Sequence, residues 1–191
     1  MAPVRGIACA GLAAVAAALA LVLVGTAGSA TSAFVNLKTG DSLDVLHTGI
    51  VCSVQKGASG RLGVACYEAT ATGFLPRSYA TVIVQDGEVS IDQINAKGDN
   101  LKQVFDRKLA AAAKRVRASV GQAFHVTGTP IDCAIVKTGT GAGVPTVYCS
   151  KDDKVGPVPG TYATLISDRV ASVGKIGANR VTTAIVVKNQ P

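Results

Sequence analysis

The chain has 191 residues, of which 48% are apolar but only 4% aromatic, with no Trp and a formal charge of +7. That length supports one domain with a real core, or two small ones sharing an interface, and the core has to come from Val, Ile, Leu and Ala. The scarcity of aromatic platforms argues against single-stranded nucleic acid as a partner, and the 19 Lys and Arg residues form no long basic tract, so the charge reads as a soluble basic surface.

In chain order, a short positive start, Met1 to Arg5, precedes the uncharged stretch Gly6 to Gly25, rich in Ala, Leu and Val. Small residues, Thr26 to Ala33, follow. This is the layout of a secretory signal peptide with cleavage options after Ala30 or Ala33. An uncleaved signal anchor is the alternative, because about twenty apolar residues span a bilayer core. Either reading of residues 1–33 places the remainder outside the membrane, in an extracellular or cell-envelope setting.

Two stretches of the remainder resemble each other. Thr48, Ile50, Cys52 and Lys56 align with Thr129, Ile131, Cys133 and Lys137. Cys66, Gly73, Pro76, Tyr79, Ala80 and Thr81 align with Cys149, Gly156, Pro159, Tyr162, Ala163 and Thr164. The pattern predicts a first β repeat at 34–98 and a second at 122–191, packed together as one domain.

Within each repeat, strands alternate about glycine-containing turns. If Cys52 faces Cys66, Val54 faces Val64, and Ile50, Cys52, Val54, Leu62, Val64 and Cys66 share one apolar face. If Cys133 faces Cys149, Ile135 faces Val147 on an equally apolar face. Cysteine pairing and alternation thus select one register in both hairpins, and directly opposed strand residues are close enough for disulfides Cys52–Cys66 and Cys133–Cys149. A Gly-x-x-Pro turn, a Tyr-Ala-Thr strand and a last strand near Val89 to Ile94 or Val170 to Ile176 complete each unit. Phe34 to Leu46 is expected to add an edge strand to the first repeat, and Val181 to Val187 one at the C-terminus.

Between the repeats, Leu101, Val104, Phe105, Leu109, Ala112, Val116 and Val120 recur at three- and four-residue steps. This spacing predicts an amphipathic helix over 99–121, capped by Asp99 or Asn100 and ended by Gly121. The expected fold class is α+β, mainly β: two tandem antiparallel meander units with one helix between them.

Chemistry is sparse. His47 and His125 are the only histidines, and with Asp44 or Asp132 they would supply the base of a secreted hydrolase. Gly139-Thr140-Gly141-Ala142-Gly143 has the composition of a phosphate loop but lies in a hairpin turn with no following helix. The two Lys-Thr-Gly triplets at 38–40 and 137–139 occur without the chain length or motif order that penicillin-binding chemistry requires. The shared positions are structural, so no catalytic, cofactor-binding or metal residues are assigned and no cofactor is expected. The sequence points to an exported, non-catalytic binding or envelope-associated module. Its ligand surface is expected around Tyr79 and Tyr162, its partner being an anionic envelope polymer or a protein, with nucleic acid disfavoured and membrane contact only through the N-terminal segment. A small hydrolase, or an anion-binding accessory domain using the basic helix face (Arg107, Lys114, Arg117), is the alternative.

Overall fold

A computed structural model describes residues 34–57, 59–70, 73–95, 114–139, 142–168 and 170–189. The segment read as signal peptide or anchor, residues 1–33, lies outside them, as do residues 99–113 of the expected helix. In the first half the strands are β1 (Val35–Leu37), β2 (Ser42–Val45), β3 (Ile50–Lys56), β4 (Leu62–Thr70), β5 (Gly73–Phe74), β6 (Tyr79–Val84) and β7 (Val89–Gln93). Then come β8 (Arg115–Ala118), β9 (Ala123–Val126), β10 (Ile131–Thr138), β11 (Val144–Asp153), β12 (Gly156–Pro157), β13 (Tyr162–Ser167), β14 (Val170–Ile176) and β15 (Thr182–Asn189).

These strands make two sheets. One runs β1-β9-β10-β11-β13-β14-β15 with β12 beside β11, and the other runs β7-β6-β4-β3-β2-β8 with β5 beside β4. No helix occurs among the described residues, so the fold is all-β and the α+β expectation is corrected. The helix over 99–121 fails where it can be seen: Arg115 to Ala118 forms a strand paired in parallel with β2. The physical reason is that this segment also fits period two. Arg115 and Arg117 face solvent, Val116 packs against the core and Ala118 is buried. Gly121 does have the left-handed conformation expected of a helix end (φ 90°), but it serves a turn closed by Gln122 N–H donating to Ser119 C=O at 3.1 Å.

The leading segment also departs from expectation, forming two strands that join different sheets. β1 pairs in parallel with β9 of the second half, Val35 opposite Phe124. Reciprocally, β8 pairs in parallel with β2 of the first half, Val116 opposite Leu43. Each half thus lends its first strand to the sheet of the other.

The two hairpins carry the expected register. Cys52 is opposite Cys66 and Val54 opposite Val64; Cys133 is opposite Cys149 and Ile135 opposite Val147. Val54 N–H donates to Asp41 C=O and Val54 C=O accepts from Gly40 N–H. The even residues of β3 therefore spend their backbone groups on β2 and meet β4 as non-hydrogen-bonded pairs, the closest approach in an antiparallel ladder. Ile135 makes the same two bonds to Gln122 and Gly121. Disulfides close both pairs, with Cα separations of 4.0 Å for Cys52–Cys66 and 4.1 Å for Cys133–Cys149.

The inward faces of both sheets meet in one cluster that includes Leu37, Leu43, Val54, Phe124, Ile135, Val147 and Ile166, all buried. Burying a side chain of this size contributes about 1.5–3 kcal/mol, and this shared core is the main thing holding the sheets together. A second cluster, Ala65, Tyr67, Ala80, Val82, Val84 and Ile94, is buried on the other face of β4 and β6.

Candidate binding groove and the histidine–aspartate pair

A concavity lies between the two halves. It has a volume of about 740 Å³ and runs between the β6–β7 hairpin of one sheet and β13, β14 and β15 of the other. Its apolar walls are Val89 and Ile91 on one side and Val173, Ile185 and Val186 on the other, with Tyr162 along it. Asp86 and Glu88 stand at its rim in the β6–β7 turn and Lys188 on β15.

The sequence fixes these walls locally. Gly87 turns the hairpin with φ 92°, and a Cβ there would come within 3.3 Å of Lys151 and 3.9 Å of Thr161. The turn can sit this close to the second half because glycine has no side chain. Arg61, just before β4, bonds the Asp86 carboxylate and reaches Glu88 at 2.7 Å, which offsets the two negative charges of the turn. On the opposite wall a bulge in β15 leaves Ile185 without an opposite residue in β14, since Val186 faces Val173 and Ala184 faces Gly174. Ile185 and Val186 both border the groove as a result.

Of the two tyrosines singled out from sequence, Tyr162 is 36% exposed and lines this groove. Tyr79 is half-buried, packs against the main core and is not among the residues lining this groove. Sequence reasoning missed Ile91, Val173, Ile185 and Val186. A usable signal existed for the last two: Ala184-Ile185-Val186-Val187 breaks the alternation expected of a half-buried strand.

The acid–base candidates divide. His47 is exposed at the third position of the β2–β3 turn, and Asp44 bonds Arg115 at 2.6 Å rather than a histidine. His125 on β9 and Asp132 on β10 are opposite each other and bond through Nδ1 and Oδ1 at 2.7 Å. Both are about one-third exposed. A carboxylate on Nδ1 orients the ring and selects its tautomer.

Next to this pair, Ser150 on β11 faces Asp132 but donates its hydroxyl to Asp152 at 2.5 Å. Burial pushes the Asp152 carboxyl up to about 6, the Ser150 hydrogen bond opposes this, and the charges of Asp132 and Asp153 add to it. Asp153 in turn is held by Arg180, Nη1 to Oδ1 2.9 Å and Nη2 to Oδ2 3.0 Å. Among the described residues no group of three metal-ligating side chains occurs. Elsewhere, Glu68 is buried on β4; desolvation pushes its carboxyl above the ordinary range and the charge of Asp168 from the other half adds to this.

The chain matches no protein family, no curated protein and no solved structure.

Proposed function

We propose that the protein is an exported, non-catalytic binding module of the cell envelope or extracellular space, built from a duplicated unit, with its ligand in the groove beside Tyr162. The observation that carries this reading is the groove itself: apolar walls contributed by both halves, an aromatic side chain along it, and few charges at its rim. Such a composition is that of a ligand site in which apolar contact supplies affinity and a few polar groups set orientation. With Asp86 and Glu88 at the rim, the groove does not concentrate positive charge, so the ligand is an uncharged or apolar group, or a protein segment, rather than an anionic polymer. Export is supported by the charge-then-apolar layout of residues 1–33 and by two disulfides, which persist in oxidising compartments. Duplication is supported by equivalent strand pairings recurring 81 residues apart, as with Leu43 opposite Val116 and Phe124 opposite Val35.

The test compares the native protein with Tyr162→Ala and Ile91→Lys as baits against extracts of envelope and medium from the native cell. A component retained by the native chain and lost with both variants supports the groove. A component retained equally by all three, or none at all, overturns it.

A second reading, a small secreted hydrolase, is favoured by the 2.7 Å bond between His125 and Asp132. It predicts that a hydrolytic activity found by substrate screening disappears with His125→Ala while the protein remains folded. Activity that survives the substitution rules the pair out.

A further inference from the structure

Among the described residues the two sheets end in four edge strands, and three of them are short or charged. β1 has three residues, β8 carries Arg115 and Arg117, and β7 has five residues including Asp92. Short length and charge are how soluble proteins keep a free row of backbone donors and acceptors from pairing with other chains. β15 is different. It is eight residues long, every residue after Thr182 is exposed, and Ile185, Val186 and Val187 are 55%, 42% and 54% accessible. It contains no Pro and no charge before Lys188, and its bulge at Ile185 presents one more apolar side chain. Among the described residues nothing pairs with its outer side.

We infer that β15 is an assembly edge that pairs antiparallel with β15 of a second copy of this chain. Self-complementarity selects the occupant. In an antiparallel pairing centred between Ile185 and Val186, Ala184 stands opposite Val187 of the second copy and Ile185 opposite Val186, so the four central pairs are all apolar. Lys188 then stands opposite Thr183, so the only charged side chain of the strand meets a hydroxyl; parallel pairing in register would instead set Lys188 beside Lys188, which is unfavourable. The arrangement is two-fold, the same patch on both subunits, and it closes on itself without leading to fibres. It joins two sheets of the order β1-β9-β10-β11-β13-β14-β15 into one continuous sheet and covers the longest exposed edge strand among the described residues. This inference is independent of the groove ligand, because edge pairing uses backbone groups in the plane of the sheet while the groove lies to one side of it.

Sedimentation equilibrium on the full chain, without added ligand, tests this. The native protein is expected to be a dimer, and Val187→Lys is expected to weaken it roughly tenfold or more; Val187 is exposed, so its melting temperature serves as the check that the variant is folded. A second measurement fixes the register: Ala184→Cys and Val187→Cys variants, mixed and oxidised, cross-link to each other, while neither cross-links alone. A native protein that is monomeric, a dimer indifferent to Val187→Lys, or cross-linking by each cysteine variant alone overturns the inference. So does a monomer that takes up a different polypeptide along β15.

Discussion

Arg77 occupies a backbone position that favours glycine. It has φ 68°, at the third position of a turn in which Pro76 is second and Ser78 N–H donates to Leu75 C=O at 3.4 Å. That is the geometry of a type II turn, whose third position favours glycine. The corresponding turn of the second half, Val158 to Thr161, has Gly160 there with φ 81°, and both residues donate their N–H to equivalent carbonyls, Arg77 to Ile94 just after β7 and Gly160 to Ile176 at the end of β14, each at 2.8 Å. A side chain in this conformation costs about 1 kcal/mol, part of which glycine returns as chain entropy in the unfolded state. Arg77→Gly is therefore expected to leave stability unchanged or raise it by up to about 1 kcal/mol, read as the urea midpoint; a loss above that would show the arginine side chain itself to be stabilising. Asp152 has the opposite character. Its folded carboxyl titrates near 6, above the ordinary value near 3.9, so the folded state binds more protons between these values and stability falls as pH rises through about 6. Asp152→Asn keeps an oxygen for the Ser150 hydroxyl and removes the charge. The variant is expected to melt higher than the native protein at pH 8, with the gap shrinking to nothing below pH 4; a gap independent of pH would show that charge burial is not the cause.

At the scale of elements, the two cysteine hairpins are the most legible part of the chain, because cysteine position and apolar alternation specify the same register. The bridges link cysteines 14 and 16 positions apart, and chain entropy makes each worth about 3 kcal/mol with little difference between them. Replacing Cys52 with Cys66, or Cys133 with Cys149, by Ala in pairs should therefore lower unfolding free energy equally in denaturant titrations; a marked inequality would expose a difference in how the two sites pack. The strands β8 and β9 were much less legible. Arg115-Val116-Arg117-Ala118 offers only four residues of alternation at the end of a stretch spaced like a helix, and parallel pairing with a strand about seventy residues away leaves no hairpin signature nearby. The signal that existed was the continuation of the internal alignment upstream: Gly40, Leu43 and Val45 precede Cys52 at the distances by which Gly121, Phe124 and Val126 precede Cys133. The groove was illegible for a related reason. Ile91, Tyr162 and Ile185 come together only once the two sheets pack and set β7 against β13, β14 and β15, and no local pattern encodes that packing.

At the scale of the whole molecule, the exchange of β1 and β8 decides how the fold behaves as a thermodynamic unit. Leu37 belongs to the first half by sequence, yet it lies opposite Val126, its C=O accepts Thr127 N–H at 2.8 Å, and its side chain is fully buried in the cluster shared by both sheets. Neither half owns a complete sheet: without β1 the second sheet loses an edge and exposes Phe124, and without β8 the first exposes Leu43. Two-state unfolding of the entire described region follows, since separating the halves would expose most of the core at once. Leu37→Ala removes a buried isobutyl group and is expected to cost about 3 kcal/mol. If the halves are one unit, amide exchange in native conditions will accelerate by the same factor at Val54 in the first half and at Ile135 in the second, although β9 is the only described strand paired with β1. Were they separate units, the loss of protection would stop at the sheet that contains β1, and the unfolding curve of the variant would split into two steps.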